Sequence, residues 1–195
     1  QHGASNENYG LLNVNSGELV AMGENIYLPT APCKYDVFFP SHGPAAFAEL
    51  SFRPGTENEY GNPHDLTCYM NLTNKKIIKP PTSVEWDIPC AFLSNNGNVA
   101  FAVFPRCKEA NGDMHTCVID MQTGEPVSIC DNEGSALKLS PISVEVYVSA
   151  DGTKAYAIDK GKLINLLKMN VCQIEGDAKE IAFSPDNRHS FIRVV

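Results

Sequence analysis

The sequence predicts an all-β protein of about four four-stranded sheets, and two interleaved repeats with their turn chemistry carry that expectation. The first repeat joins two apolar residues, an Asn or Asp, a short spacer and a further apolar run. It reads Leu11-Leu12-Asn13 to Leu19-Val20, Tyr69-Met70-Asn71 to Ile77-Ile78, Val118-Ile119-Asp120 to Val127, and Leu163-Ile164-Asn165 to Val171. The second reads Pro40-Ser41-His42-Gly43, Ser94-Asn95-Asn96-Gly97, Ser149-Ala150-Asp151-Gly152 and Ser184-Pro185-Asp186-Asn187, each followed by an aromatic: Phe47, Phe101, Tyr156 and Phe191. Such self-similarity marks a repeat architecture, because one unit of this size cannot bury its own apolar face.

Each element follows from a period of two. Val144, Val146 and Val148 share one face of a strand while Glu145 and Tyr147 take the other. The segments 98–103 and 154–158 are short strands entered through Gly-bearing turns, where glycine supplies the positive φ of a tight hairpin. Residues 161–170 have some helical character, but their alignment with the other copies predicts strands. Hairpins are expected in order over 9–21, 30–51, 66–79, 87–104, 116–130, 142–158, 161–174 and 178–195. They group into a single domain, 1–195, with sheets over 30–79, 87–130, 142–174, and 178–195 completed by 9–21. Pairing the N-terminal hairpin with the C-terminal one closes a ring and removes two exposed sheet edges.

Composition narrows the function. Hydrophobic residues make up 43% and charged residues 19%, which describes a globular protein. A formal net charge of -8 argues against a nucleic-acid partner, which demands a basic stripe. No apolar run is long enough for membrane insertion. Seven cysteines without a Cys-x-x-Cys or a His pair at ligand spacing favour disulfides in an oxidising compartment, either extracellular or periplasmic. Buried free thiols remain the alternative.

The stretches Ile181-Ala182-Phe183-Ser184-Pro185-Asp186-Asn187, Val148-Ser149-Ala150-Asp151-Gly152-Thr153-Lys154-Ala155-Tyr156 and Val118-Ile119-Asp120-Met121-Gln122-Thr123-Gly124 resemble β-propeller repeats of the YVTN and WD40-like type. The resemblance implies a propeller of about four blades, or a segment of a larger one. It specifies a blade and no activity.

Propeller geometry places two long connections, 52–65 and 105–115, on one face. Insertions gathered on one face of a repeat protein commonly form its working surface. That face is expected to offer Tyr27, Arg53, Glu57, Tyr60, His64, Asp65, Trp86, Arg106, Lys108, Asp113 and His115, of which Arg, Tyr and Trp are the types that anchor interfaces. The plain alternatives are that the loops are merely solvated and that Trp86 belongs to the core. Cys107–Cys117 and Cys33–Cys90 are the candidate disulfides.

Chemistry is less legible. His64-Asp65 and Asp113 to His115 could meet as an acid–base pair or metal site, but no nucleophile elbow, phosphate loop or haem motif is present. Asp151 and Asp186 occupy the same turn position and are expected to accept local backbone hydrogen bonds. The reading is therefore a secreted binding module for a protein or glycan, with no cofactor and no metal. The alternatives are a structural segment of a larger assembly and a metal- or carboxylate-dependent hydrolase or lyase.

Overall fold

The computed structural model describes residues 11–13, 18–20, 26–27, 37–38, 41, 46–52, 66–81, 83–84 and 89–195. Among these, every regular element is a strand, and all the sheets are antiparallel. Strands β1 (Leu11–Asn13) and β2 (Glu18–Val20) form the first sheet. The second has the order β3 (Ile26–Tyr27), β5 (Phe47–Phe52), β6 (Leu66–Asn71), β7 (Lys76–Ile78), with β4 (Val37–Phe38) also on β5. The third repeats that plan: β8 (Ser83–Val84) and β9 (Cys90–Leu93) both pair with β10 (Ala100–Lys108), followed by β11 (Met114–Asp120) and β12 (Glu125–Pro126). The fourth is β13 (Val144–Val148), β14 (Ala155–Asp159), β15 (Lys162–Asn165) and β16 (Asn170–Val171). The fifth is the hairpin β17 (Ala178–Phe183) and β18 (Ser190–Val194).

Alternation along β10 explains how the sheets stack. Ala100, Ala102 and Phe104 pack with Phe47, Tyr69 and Ile78 of the second sheet. Phe101 and Val103 project the other way, against Val146, Ala155, Ala157 and Ile164 of the fourth. A strand apolar on both faces is what a sheet sandwiched between two others requires. Tyr69 meets Phe104 edge-on, with ring centroids 6.0 Å apart and planes at 64°, an arrangement that adds about 0.5–1.5 kcal/mol beyond area burial. Ile158 and Leu163 of the fourth sheet then pack on Ala178 and Ile181 of the fifth. The outer face of that last hairpin is bare, with Phe191 64% exposed.

Turn chemistry repeats at atomic detail. Ser94, Ser149 and Ser184 each donate from Oγ to the residue two further on: Asn96 at 2.6 Å, Asp151 at 2.8 Å and Asp186 at 2.6 Å. The acceptor side chains in turn receive the backbone N–H of Asn98, Thr153 and Arg188. Gly97, Gly152 and Asn187 hold the left-handed position, with φ of 68°, 74° and 58°. The carboxyls of Asp151 and Asp186 are consequently held below the ordinary Asp value: Asp151 first by the Thr153 N–H, Asp186 first by the Ser184 hydroxyl. The other repeat turn has its own rule: Asn71, Asp120 and Asn165 accept the N–H of Thr73, Gln122 and Lys168 through Oδ1. The remaining copies, at 14–17 and 42–43, lie outside the described residues.

Equivalent turns of successive sheets touch. The N–H of Asn95 donates to the Ala150 carbonyl at 2.7 Å, and the Lys154 ammonium donates to the Asn187 carbonyl at 2.6 Å. Asn71 Nδ2 reaches the Met121 carbonyl at 3.4 Å, and Lys76 bonds the Thr123 carbonyl.

Several boundaries differ from the sequence reading. Tyr27, expected in a connection, lies in β3 opposite Ser51. The 105–115 stretch is not a loop: β10 continues to Lys108 and β11 begins at Met114, opposite it. Pro105 breaks the alternation, and a register shift between Phe104 and Cys107 hides the strand's continuation. By contrast β14 and β15 are joined directly through Lys160 and Gly161, at φ of 48° and 81°, as the sequence predicts. Among the described residues no ladder joins β1–β2 to β17–β18.

Candidate functional site

The extended hairpin of β10 and β11 positions two cavities. Beyond the bulge, Cys107 and Lys108 pair with Val84 and Ser83 on one side and with His115 and Met114 on the other. Glu109 and Asp113 close the tip through a Glu109 N–H to Asp113 carbonyl bond of 2.9 Å. Arg106 sits in the bulge at φ 50°, a left-handed conformation that non-glycine residues adopt only where their surroundings hold them.

The first cavity, about 320 Å³, lies between the bulge and the segment entering β13. Phe92, Val103, Pro105, Ile142 and Val144 supply apolar walls; Arg106 and Thr116 supply the polar ones. Ile142 is 78% exposed, an unusual position for a large aliphatic side chain. Its segment is fixed from beneath. Asp159 is buried and accepts the Ser140 N–H at 3.0 Å, while Thr116 Oγ1 donates to the Ser140 carbonyl at 2.6 Å.

The second cavity, also about 320 Å³, opens under the 128–138 loop at the edge of β11. His115 and Cys117 lie two apart and so share a face of the strand. Cys117 Sγ is 3.2 Å from His115 Nε2. His115 Nδ1 is buried without a hydrogen-bond partner and faces Glu109 Oε1 at 3.8 Å. Glu109 Oε2 accepts from Lys138 Nζ at 2.7 Å, which raises the Lys138 value above the ordinary one. Behind Cys117, the fully buried Cys107 donates to the Phe104 carbonyl at 3.3 Å. The neighbouring Cys107, followed by burial, pushes the Cys117 thiol up.

Arg106 lines the first cavity and His115 the second, while Lys108 ends β10 and is exposed. Asp113 stands on the exposed tip, accepting from Asn111 Nδ2 at 2.8 Å and lying 3.9 Å from Lys138. Cys90, one expected half of a disulfide, is an exposed thiol at the first cavity; Cys107 and Cys117 stand as thiols as well. Arg53, Glu57, Tyr60, His64, Asp65, Trp86 and Cys33 lie outside the described residues, as does the side chain of Tyr27. Among the described residues no group of three His, Cys, Asp or Glu could hold a metal ion.

Sequence reasoning missed the partners that complete the cavities: Glu109 as the carboxylate facing His115, Lys138, Thr116 and Ile142. The one signal for them is the long polar stretch Asp131-Asn132-Glu133-Gly134-Ser135 before Lys138, which lengthens that connection. No family model matches the chain, and no curated protein matches it.

Proposed function

We propose that this chain is a small β-propeller-type binding module whose β10–β11 end grips a protein. Three antiparallel sheets, two of five strands and one of four, are stacked in chain order, and their equivalent turns bond to one another. Two hairpins remain, β1–β2 and β17–β18, and on this reading they pair as a fourth unit that closes the ring. Its cysteine content suits an exported, oxidising compartment.

The observation that carries the binding reading is Arg106 held left-handed at the wall of a cavity of mixed lining beside the exposed Ile142. Strained residues persist where a fold over-determines them, and they gather at working sites. A recess of mixed polar and apolar lining beside an exposed aliphatic side chain suits a peptide that pairs an apolar residue with an acidic one. A glycan would call for a flat aromatic platform and several amides instead. The test is a displayed-peptide selection run beside a glycan array, using wild type, Arg106→Ala and Ile142→Asp. Enrichment of peptides pairing an apolar residue with an acidic one, lost in both variants at unchanged melting temperature, supports the reading. Glycan binding, or peptide binding indifferent to both substitutions, contradicts it.

The exposure of Phe191 (64%) and Val194 (46%) on the last strand favours a second reading in which this chain is one arc of a larger ring or assembly. Native mass separates the two: a lone chain fits the closed ring, and a concentration-dependent oligomer fits the arc.

A further inference from the structure

We propose that Cys117 and Cys107 are the attacking and resolving thiols of a dithiol–disulfide exchange site, with His115 as the base and a low-molecular-weight disulfide as substrate. Four features converge. Cys117, 8% exposed, is among the residues that line the second cavity, while Cys107 is completely buried. The two cysteines stand on the adjacent strands β10 and β11, on either side of the bulge, and belong to the same buried cluster. His115 Nε2 stands 3.2 Å from Cys117 Sγ, and the Glu109 carboxylate faces the opposite ring nitrogen, placed to offset the charge the ring gains with a proton. Glu109, Thr116, Ser128 and Lys138 border a recess whose apolar walls are Val127, Ile129 and Leu137, which suits a small disulfide of mixed polarity.

The exchange balances in two steps. Cys117 yields its proton to His115 and attacks one sulfur of R–S–S–R; the departing R–S⁻ takes the proton and leaves as R–SH. Cys107 then loses its proton, attacks Cys117 Sγ, and releases the second R–S⁻, which leaves as R–SH. The protein is oxidised by two electrons to a Cys107–Cys117 disulfide, and the substrate is reduced to two thiols. Because the resting Cys117 thiol is held protonated by Cys107 and by burial, attack depends on the adjacent base. A solitary nucleophile for acyl transfer would have no use for a second thiol behind it. Cys68 is an internal reference: it is fully buried, and burial pushes its thiol up to about 12.

The test incubates the whole protein with glutathione disulfide, quenches by alkylation, and maps peptides by mass spectrometry. Wild type is expected to form the Cys107–Cys117 linked peptide and release two glutathiones per chain. Cys107→Ser is expected to stop at a glutathione adduct on Cys117. His115→Gln is expected to slow adduct formation on the order of a hundredfold near neutral pH and flatten its pH profile. Because Cys107→Ser opens a buried position, the wild-type map decides the matter even if that variant fails to fold. The proposal is overturned if Cys107 and Cys117 remain alkylatable while the exposed Cys90 has reacted. It is equally overturned if Cys117 gains no adduct in a folded Cys107→Ser, or if folded His115→Gln reacts at the wild-type rate.

Discussion

The Lys154 ammonium donates to the backbone carbonyl of Asn187 at 2.6 Å, tying the β13–β14 turn to the β17–β18 turn. One unit earlier, the Asn95 N–H and the Ala150 carbonyl make the corresponding tie at 2.7 Å. Such links set the angle between neighbouring sheets, a quantity that face packing alone leaves soft. Lys154→Met keeps the aliphatic stem and removes the donor. Urea unfolding should show a loss of about 1 kcal/mol, with faster amide exchange confined to the β17–β18 turn.

Gly161 allows β14 and β15 to join in two residues. Its φ is 81°, and an added Cβ would stand 2.7 Å from Asp177 Cγ, while its carbonyl accepts the Ala178 N–H at 2.7 Å. Gly161→Ala is therefore expected to cost about 1–2 kcal/mol in chemical denaturation. An unchanged midpoint would show that the fourth and fifth sheets do not approach each other there.

Asp159 anchors the floor of the Arg106 cavity from a buried position. Asp159→Ala leaves the Ser140 N–H without its acceptor, an expected loss of about 1–3 kcal/mol. Asp159→Asn retains an acceptor and should lose less. In both, peptide binding at the cavity should weaken before the global fold fails, which titration below the melting temperature would reveal.

Asp151 and Asp186 should both titrate below the ordinary Asp value of 3.8 when followed by carboxyl-carbon NMR. A depressed native value favours the charged form, so the stabilisation is present above the unfolded value and lost as pH falls through the native one. Ser149→Ala and Ser184→Ala should each move only their own Asp back towards 3.8, because each hydroxyl donates within its own turn.

What can be read in the sequence is local. Ser149 and Asp151 are two residues apart and bond to each other, so their spacing alone predicts the turn and the carboxylate's role. Phe101 and Phe104 lie on a strand whose period is visible as far as Pro105. There the alternation stops, and the bulge that carries Arg106 and re-aligns Cys107 leaves no periodic mark. Lys138 and Glu109, 29 residues apart, meet only because the 128–138 loop folds back over the edge of β11. His115 is legible as a candidate polar residue, though in a connection and not on β11; its facing carboxylate is not, since Asp113 and Glu109 are both near in sequence. Tyr27 reads as part of a connection because two residues are too few to show a period.

Ring closure is most directly tested by amide hydrogen exchange along β18, in a sample whose native mass is that of one chain. Alternate amides of β18 bond to β17, and the others face the opposite edge. If β1–β2 covers that edge, every amide from Ser190 to Val194 will exchange slowly. An alternating pattern, with the outward amides exchanging as freely as in an unfolded peptide, would contradict closure.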